Sequence, residues 1–240
     1  MTDHTVKAYD RELKALADAI RDTGGLVRHM VVDALESIAA ADVARALDVV
    51  AMSARVASLQ RQIESDAMLT IARRAPVADD LREVVSAIRI AGDLGRVGAH
   101  AQEIARRTVK TASMTRAPRA IVGLRHMGAL ADELLKDALD AYAARDAERA
   151  RSAWMRDADL DSLEGSVFSD LLNEMIEDPR AISFCANVMS VSKAIERIGD
   201  HATNIAETVM YLITGVTVED DRPRGRGMAS LDPVVAADDF

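Results

Sequence analysis

The sequence predicts an all-α fold: two tandem, pseudo-symmetric antiparallel three-helix bundles, followed by a disordered acidic C-terminal tail. Apolar residues recur at helical spacing along most of the chain before residue 216. Only 12 Gly and 5 Pro occur in 240 residues, which is too few turn-forming residues for a β fold with many turns. The second half of the chain also repeats the first half element by element, as expected of an internal duplication.

The first repeat, residues 1–115, contains three predicted helices. The first two precede Pro76, which interrupts the helical pattern. The Gly24–Gly25 pair weakens the prediction in the early part of the first helix, because Gly is a poor helix former. Asp79 or Asp80 is suited to cap the third helix.

The second repeat, residues 116–215, matches the first helix by helix. Its first two helices align at a shift of 104 residues, which places Asp33 on Asp137. Its third helix aligns at a shift of 101, so the first repeat has about three extra residues in the preceding loop. Residues 216–240 are charged, aperiodic and carry Pro and Gly, and we expect a disordered tail there.

Charge and composition exclude several functional classes. The net charge of −9 and the pI near 5.1 argue against nucleic-acid binding, which requires a basic face. The single cysteine, Cys185, lies in an apolar run and is expected to be a buried thiol rather than a nucleophile. The N-terminal segment has no apolar signal core, and no apolar run approaches the roughly 20 residues that span a bilayer. We therefore expect a cytoplasmic protein.

The third helix of the second repeat carries a stripe of oxygen-bearing side chains. At about 100° per residue, four of them share one quarter of the helix circumference: Glu196, Asp200, Asn204 and Glu207. Three acids share one face of the preceding helix: Asp157, Asp161 and Glu164. Apolar residues occupy the opposite side of the stripe, so we expect it to face away from the bundle core. Oxygen ligands in such rows suit hard cations.

The first repeat lacks most of these groups. Gly95 and Ala99 replace Glu196 and Asp200, while the Arg, Gly, His and apolar residues around them are kept. The acids are therefore dispensable for folding, as expected of a site. A solvated acidic helix face is the alternative interpretation.

The segment KAIERIGDHATNIAE, residues 193–207, closely resembles the signature of the PhoU family of bacterial regulators of phosphate uptake. Two further segments, RRAPVADDLR at 73–82 and DADLDSLE at 157–164, resemble other parts of that family. The resemblance extends from about residue 10 to residue 215. It implies the paired bundles predicted above.

Some members of the family bind multinuclear metal clusters on acidic surfaces of both bundles. Carried over position by position, five residues of this chain match the metal motifs: Asp157, Asp161, Glu196, Asp200 and Asn204. The first repeat does not match them, so the resemblance implies a divalent metal or iron on the second bundle only.

The resemblance also implies partners. Members of the family are thought to couple the ATPase of the phosphate ABC importer to a membrane sensor histidine kinase and to repress the phosphate-starvation response. This implies peripheral association with membrane complexes, and we also expect a homodimer.

Matched residues outside the stripe are further candidates. Arg96 and Arg197 could bind phosphate or a partner's acids, or pair with neighbouring acids instead. His100 and His201 are expected to pack or form hydrogen bonds, since His100 persists where the acids are lost.

No nucleophile–base pairing, phosphate-binding Gly loop or His–Cys metal spacing is present, so an enzyme is not expected. The rival classes are a metal-dependent hydrolase or metal-storage bundle using the same acids, and a helical repeat that binds partners without metal.

Overall fold

The computed structural model describes residues 2–114 and 118–218. These ranges contain seven α-helices and one 3₁₀ turn, with no β-strand. The first repeat forms α1 (Thr2–Ala40), α2 (Val43–Arg74) and α3 (Ala78–Thr111). The second forms α4 (Pro118–Ala144), α5 (Ala147–Met155), α6 (Asp157–Glu177), the 3₁₀ turn Pro179–Ala181 and α7 (Ile182–Thr214). The predicted all-α fold is confirmed.

Two expectations fall wholly or partly outside the described ranges. The predicted boundary between the repeats, at 115/116, lies in the undescribed segment 115–117. Of the predicted disordered tail, 216–240, only residues 216–218 are described. No helix within the described ranges combines the length and apolarity needed to cross a membrane.

Matching caps begin the second helix of each repeat. The Asp42 carboxylate accepts a hydrogen bond from Arg45 N at 3.0 Å, and the corresponding Asp146 accepts one from Arg149 N at 3.0 Å. The predicted cap of α3 by Asp79 or Asp80 is wrong, since both acids lie within its first turn. There they still interact favourably with the positive end of the helix dipole.

The second repeat differs from the first in its middle helix. The single helix predicted there is divided at Arg156 into α5 and α6, whereas α2 is continuous. At the division Arg156 N bonds to Ala153 O at 3.2 Å, a tighter turn than the α-helical pattern. The Arg156 guanidinium forms ion pairs with Glu133 and Asp137 of α4.

Each bundle packs its own helices together, and the two bundles meet through α3 against α7 and α1 against α4. The buried apolar residues of both bundles form one continuous core. Cys185 lies within it as a free thiol, and burial raises its pKa, which confirms the expected packing role.

Helices α3 and α7 run antiparallel. Arg107 of α3 donates to Asn187 of α7 at 3.0 Å near one end of the contact. Near the other end, the Arg89 guanidinium lies 5.5 Å from the centre of the Tyr211 ring. The N-termini of these two helices therefore lie at opposite ends of the molecule.

A pseudo-twofold axis relates the two bundles. The rings of the matched residues His100 and His201 stack on each other with centroids 5.7 Å apart. Arg28 forms two hydrogen bonds, of 2.9 and 2.8 Å, with Asp132, which lies 104 residues later at the matched position. Only residues next to a twofold axis can meet their own counterparts. The axis therefore passes through both contacts.

The glycines of α1 and α4 serve this symmetric interface. A Cβ on Gly24 would lie 2.9 Å from Leu139 of α4. A Cβ on the matched Gly128 would lie 2.6 Å from Leu35 of α1, so the same contact is made twice. These glycines let α1 and α4 approach closely, and α1 continues unbroken through the glycine pair.

Adjacent glycines in α1 provide a test of this packing. Gly25 has no neighbouring atom within 4 Å of a built Cβ, so Gly25→Ala should raise the free energy of unfolding by about 1 kcal/mol through helix propensity. Gly24→Ala and Gly128→Ala should each lower it by about 1 kcal/mol, because overpacking exceeds that gain. Urea denaturation of the three variants checks this. Equal effects at Gly24 and Gly25 would contradict the close approach.

Candidate functional site

Acidic side chains from α6 and α7 gather in a seam between these two helices. Lys193 Nζ donates to Glu196 Oε1 at 2.9 Å and lies 3.7 Å from Glu164 Oε1. Burial raises the pKa of Glu196, and the negative charges of Asp200 and Glu164 raise it further, against the opposing pull of Lys193. We call Glu164, Glu196, Asp200 and Asp157 the acidic seam.

The stripe lies on the side of α7 opposite its fully buried apolar residues, as expected, but it is covered by neighbouring helices and does not form an open surface. Asp157 and Glu164 are only 4% and 6% exposed, and the side chain of Glu196 is 14% exposed. The reason is the position of α7, which packs against α3, α4, α5 and α6. The side of α7 that carries the polar stripe is covered by α5 and α6, while Lys193 and Arg197 on another side stay exposed.

Two members of the predicted rows have structural roles. Thr203 Oγ1 donates to Asp157 Oδ1 at 3.0 Å, and Trp154 Nε1 donates to Glu207 Oε1 at 2.8 Å. Both bonds attach the α5–α6 segment to α7 and satisfy buried donors. Trp154 is 2% exposed and belongs to the core.

The remaining predicted ligands are placed differently. Asp161 follows Asp157 by one turn of α6 and is half-buried. Asn204 is directed toward α3, where its Nδ2 donates to Asp93 Oδ1 at 3.4 Å. Of the five predicted ligands, Asn204 is therefore engaged at the contact between the bundles rather than in the acidic seam.

The chemistry of the acidic seam suits a cation. Glu196 Oε2 is buried and has no hydrogen-bond partner, and carboxylate oxygens are the donors that hard cations prefer. Lys193 supplies positive charge in this structure, and a metal bound by both Glu196 and Glu164 would have to displace its ammonium group. Within the described ranges, no three His, Cys, Asp or Glu side chains are grouped so as to hold a metal as they stand. The metal site stays a prediction, favoured by the orphaned Oε2.

The first bundle fills the corresponding seam with a neutral side chain. A Cβ on Gly95, which replaces Glu196, would overlap Gln60 Oε1. The Gln60 amide, which replaces Glu164, thus occupies the space beside α3 and donates to Glu64 at 2.8 Å. Gly92 stands where Lys193 stands in the second repeat. The first bundle therefore lacks counterparts of both Glu196 and the lysine that compensates its charge.

The matched cations and histidines lie near the pseudo-twofold axis. Arg96 and Arg197 are both exposed, and neither forms a hydrogen bond or ion pair with a residue of the described ranges. The expected packing and hydrogen-bonding role of the histidines is confirmed, since His100 and His201 stack and His201 Nδ1 bonds to Asp93 at 2.9 Å.

A family model for the PhoU domain matches residues 4–108 and 124–209, one match on each bundle. This chain belongs to the PhoU family. The resemblance of the KAIERIGDHATNIAE segment is confirmed at this level.

Individual PhoU relatives cover almost the whole chain. A phosphate-specific transport system accessory protein PhoU homolog of Rhizobium meliloti is 41% identical over 231 residues, which cover 96% of this chain and 98% of that protein. The homolog from Pseudomonas aeruginosa is 35% identical over 218 residues, covering 91% and 90%.

Two solved PhoU structures share the fold. The crystal structure of PhoU from Pseudomonas aeruginosa has a TM-score of 0.84 at 36% identity and covers 87% of this chain and 100% of that chain. That of the phosphate transport system regulatory protein PhoU from Streptococcus pneumoniae has a TM-score of 0.81 at 26% identity, covering 88% and 99%.

Replacing the two glutamates of α7, Glu196 and Glu207, by Met should change the stability of the protein in opposite directions. Glu196→Met removes a largely buried carboxylate that neighbouring acids repel. It should raise the free energy of unfolding by roughly 0.5–1 kcal/mol, because residues kept for function are often not the most stable choice at their positions. Glu207→Met leaves the Trp154 indole N–H without an acceptor and should lower it by about 1–3 kcal/mol. Urea denaturation with a chelator at pH 7 measures both. Destabilisation by Glu196→Met would show that this acid is structural.

Restoring the glutamate alone in the first bundle should destabilise the protein, because the Gln60 amide occupies the space that the glutamate needs. Gly95→Glu introduces a clash with the Gln60 amide and should lower the free energy of unfolding by about 1–3 kcal/mol. The double variant Gly95→Glu, Gln60→Ala should recover much of that loss. A double-mutant cycle measures the coupling, and additivity of the two substitutions would refute the direct contact.

Proposed function

We propose that this PhoU-family chain is a non-enzymatic accessory regulator of phosphate uptake. The observation that carries the proposal is family membership over both repeats, together with relatives named as accessory proteins of the phosphate-specific transport system. It acts as an adaptor between the ATPase of the phosphate ABC importer and a membrane sensor histidine kinase, and it keeps the phosphate-starvation response repressed.

An adaptor of this kind needs more than one docking surface. The chain exposes apolar side chains at matched positions near the α2–α3 and α6–α7 connections: Met68 and Leu81 in the first bundle, Leu172 and Ile182 in the second. The antiparallel arrangement of α3 and α7 places these two tips at opposite ends. Since α3 has 34 residues, the tips are about 50 Å apart. This geometry supports simultaneous contact with two partners from the cytoplasmic side of the membrane.

The metal proposal concerns the second bundle alone. A divalent cation or iron binds there through acids chosen from Asp157, Asp161, Glu196 and Asp200. Asn204 adds an oxygen donor only when its amide turns away from Asp93 of α3. The orphaned Oε2 of Glu196 and its acidic neighbours support it. Occupancy neutralises the acidic seam and changes which partner surface the second bundle meets. We also propose that the protein forms a homodimer, which sedimentation in solution tests.

Metal titration tests the acidic seam. Calorimetry with Mn²⁺ should show saturable heat for the wild type, and Asp200→Ala should bind at least about tenfold more weakly, since ligands and their supports set metal affinity. Lys193→Met should strengthen binding, because it removes the competing ammonium group. Equal heats from the wild type and Asp200→Ala would eliminate this site.

The partner proposal has a direct test in cells. Arg96→Glu together with Arg197→Glu should reduce recovery of the importer ATPase or the kinase in a pull-down several-fold, because unpaired interface cations contribute to association. The same variant should derepress a phosphate-starvation reporter at high phosphate. Arg55→Glu together with Arg61→Glu, the same total charge change at exposed positions of α2, serves as the control. Undiminished recovery of both partners would exclude these arginines as docking residues.

A further inference from the structure

The pseudo-twofold axis creates two equivalent grooves between α3 and α7. In the first, the Asp93 carboxylate accepts a hydrogen bond from His201 Nδ1 at 2.9 Å and one from Asn204 Nδ2 at 3.4 Å. The side chain of Asp93 is only 16% exposed. We call this the filled groove, because the protein's own carboxylate acts as an anion held between the two helices.

The second groove lacks that carboxylate. At the shift of 101 residues, Ala194 stands at the position of Asp93 and His100 at that of His201. The result is an open groove of about 390 Å³, lined on α7 by Ser190, Lys193, Ala194 and Arg197 and on α3 by His100 and Glu103. The open groove therefore has the matching histidine, His100, but a methyl group, that of Ala194, in place of the carboxylate.

Two cationic side chains of α7 lie at this open groove. The exposed Arg197 guanidinium has no hydrogen-bond or ion-pair partner within the described ranges, whereas Lys193, which also lines the groove, is paired with Glu196 of the acidic seam. Burial holds the pKa of His100 below its ordinary value, and His201, Arg197 and Arg96 lower it further, against the pull of Glu103. An anion seated here would pair with Arg197 and lie beside His100, as the Asp93 carboxylate lies beside His201 in the filled groove.

We propose that the open groove binds a small oxyanion, inorganic phosphate, in the place that Asp93 occupies in the filled groove. The choice of phosphate among oxyanions rests on the proposed function. The planar guanidinium of Arg197 suits two oxygens of a tetrahedral anion, and the Ser190 hydroxyl can donate. Lys193 stays paired with Glu196 and contributes only a more distant positive charge. The groove is larger than a carboxylate, so it accommodates the fuller tetrahedral group.

Glu103 limits the affinity. It stands where Asn204 donates to the anion in the filled groove, yet its carboxylate can only accept. It lies 3.6 Å from Arg107 and 3.9 Å from His100 Nδ1, and its charge repels an incoming anion. Binding is therefore weak, with a dissociation constant of millimolar order. Glu103→Gln should tighten it several-fold.

Histidine-selective NMR of the full chain provides the test. Phosphate added at constant ionic strength should shift the His100 resonance saturably, while the distant exposed His29 reports non-specific effects. Ala194→Asp, which copies the filled groove, should abolish the response. Arg197→Gln, an exposed change that does not threaten folding, should weaken binding at least fivefold. Arg61→Gln on α2 is the matched charge control.

Titrations with phosphate, sulfate and acetate distinguish a free oxyanion from the carboxylate of a docked partner. Phosphate should saturate at lower concentration than sulfate or acetate. A response to acetate alone would overturn the proposal and indicate a docked carboxylate of a partner. No saturable shift in the wild type, or one that persists in folded Ala194→Asp, would also overturn it. Partner recovery and reporter repression are measured separately, so loss of phosphate binding is distinguishable from loss of the proposed regulatory role.

Discussion

The antiparallel contact between α3 and α7 determines the rest of the structure. The His100–His201 stack lies at its centre, and the Arg28–Asp132 pair lies on the same pseudo-twofold axis at the α1–α4 contact. Because the two bundles join along these helices, they share one apolar core rather than two. On another side of α7, the α5–α6 segment covers the polar stripe and makes it a largely buried seam.

Burial gives the acids of the second bundle their distinctive chemistry. Carboxylates taken out of water repel one another and require compensating positive charge. Lys193 supplies it in the second bundle, whereas the first bundle removes both charges and packs the Gln60 amide over Gly95. The duplicated scaffold thus supports a charged seam and a neutral one at equivalent positions, which is consistent with a specialised role for the second bundle.

The two α3–α7 grooves show the same divergence near the axis. Asp93 supplies one groove with an internal anion, and Ala194 leaves the other open beside the same type of histidine. A single residue difference between repeats therefore distinguishes a closed contact from a candidate ligand site. Symmetry makes such comparisons informative, because the filled groove shows which group the open one lacks.

The sequence by itself determined the helices, the duplication and the family, since helical periodicity and the Glu196 motif are local patterns. It also predicted that acids of α6 and α7 face one another, as Glu164 and Glu196 do on either side of Lys193. It did not show that the stripe is covered, because helical periodicity separates the faces of one helix without revealing how many other helices pack against them. The role of Asn204 and the Gly24–Leu139 contact depended on how the two bundles dock, and the division at Arg156 lies where that residue pairs with α4 inside the second bundle. Only the tertiary structure decided these features, because they arise from contacts between residues far apart in the chain.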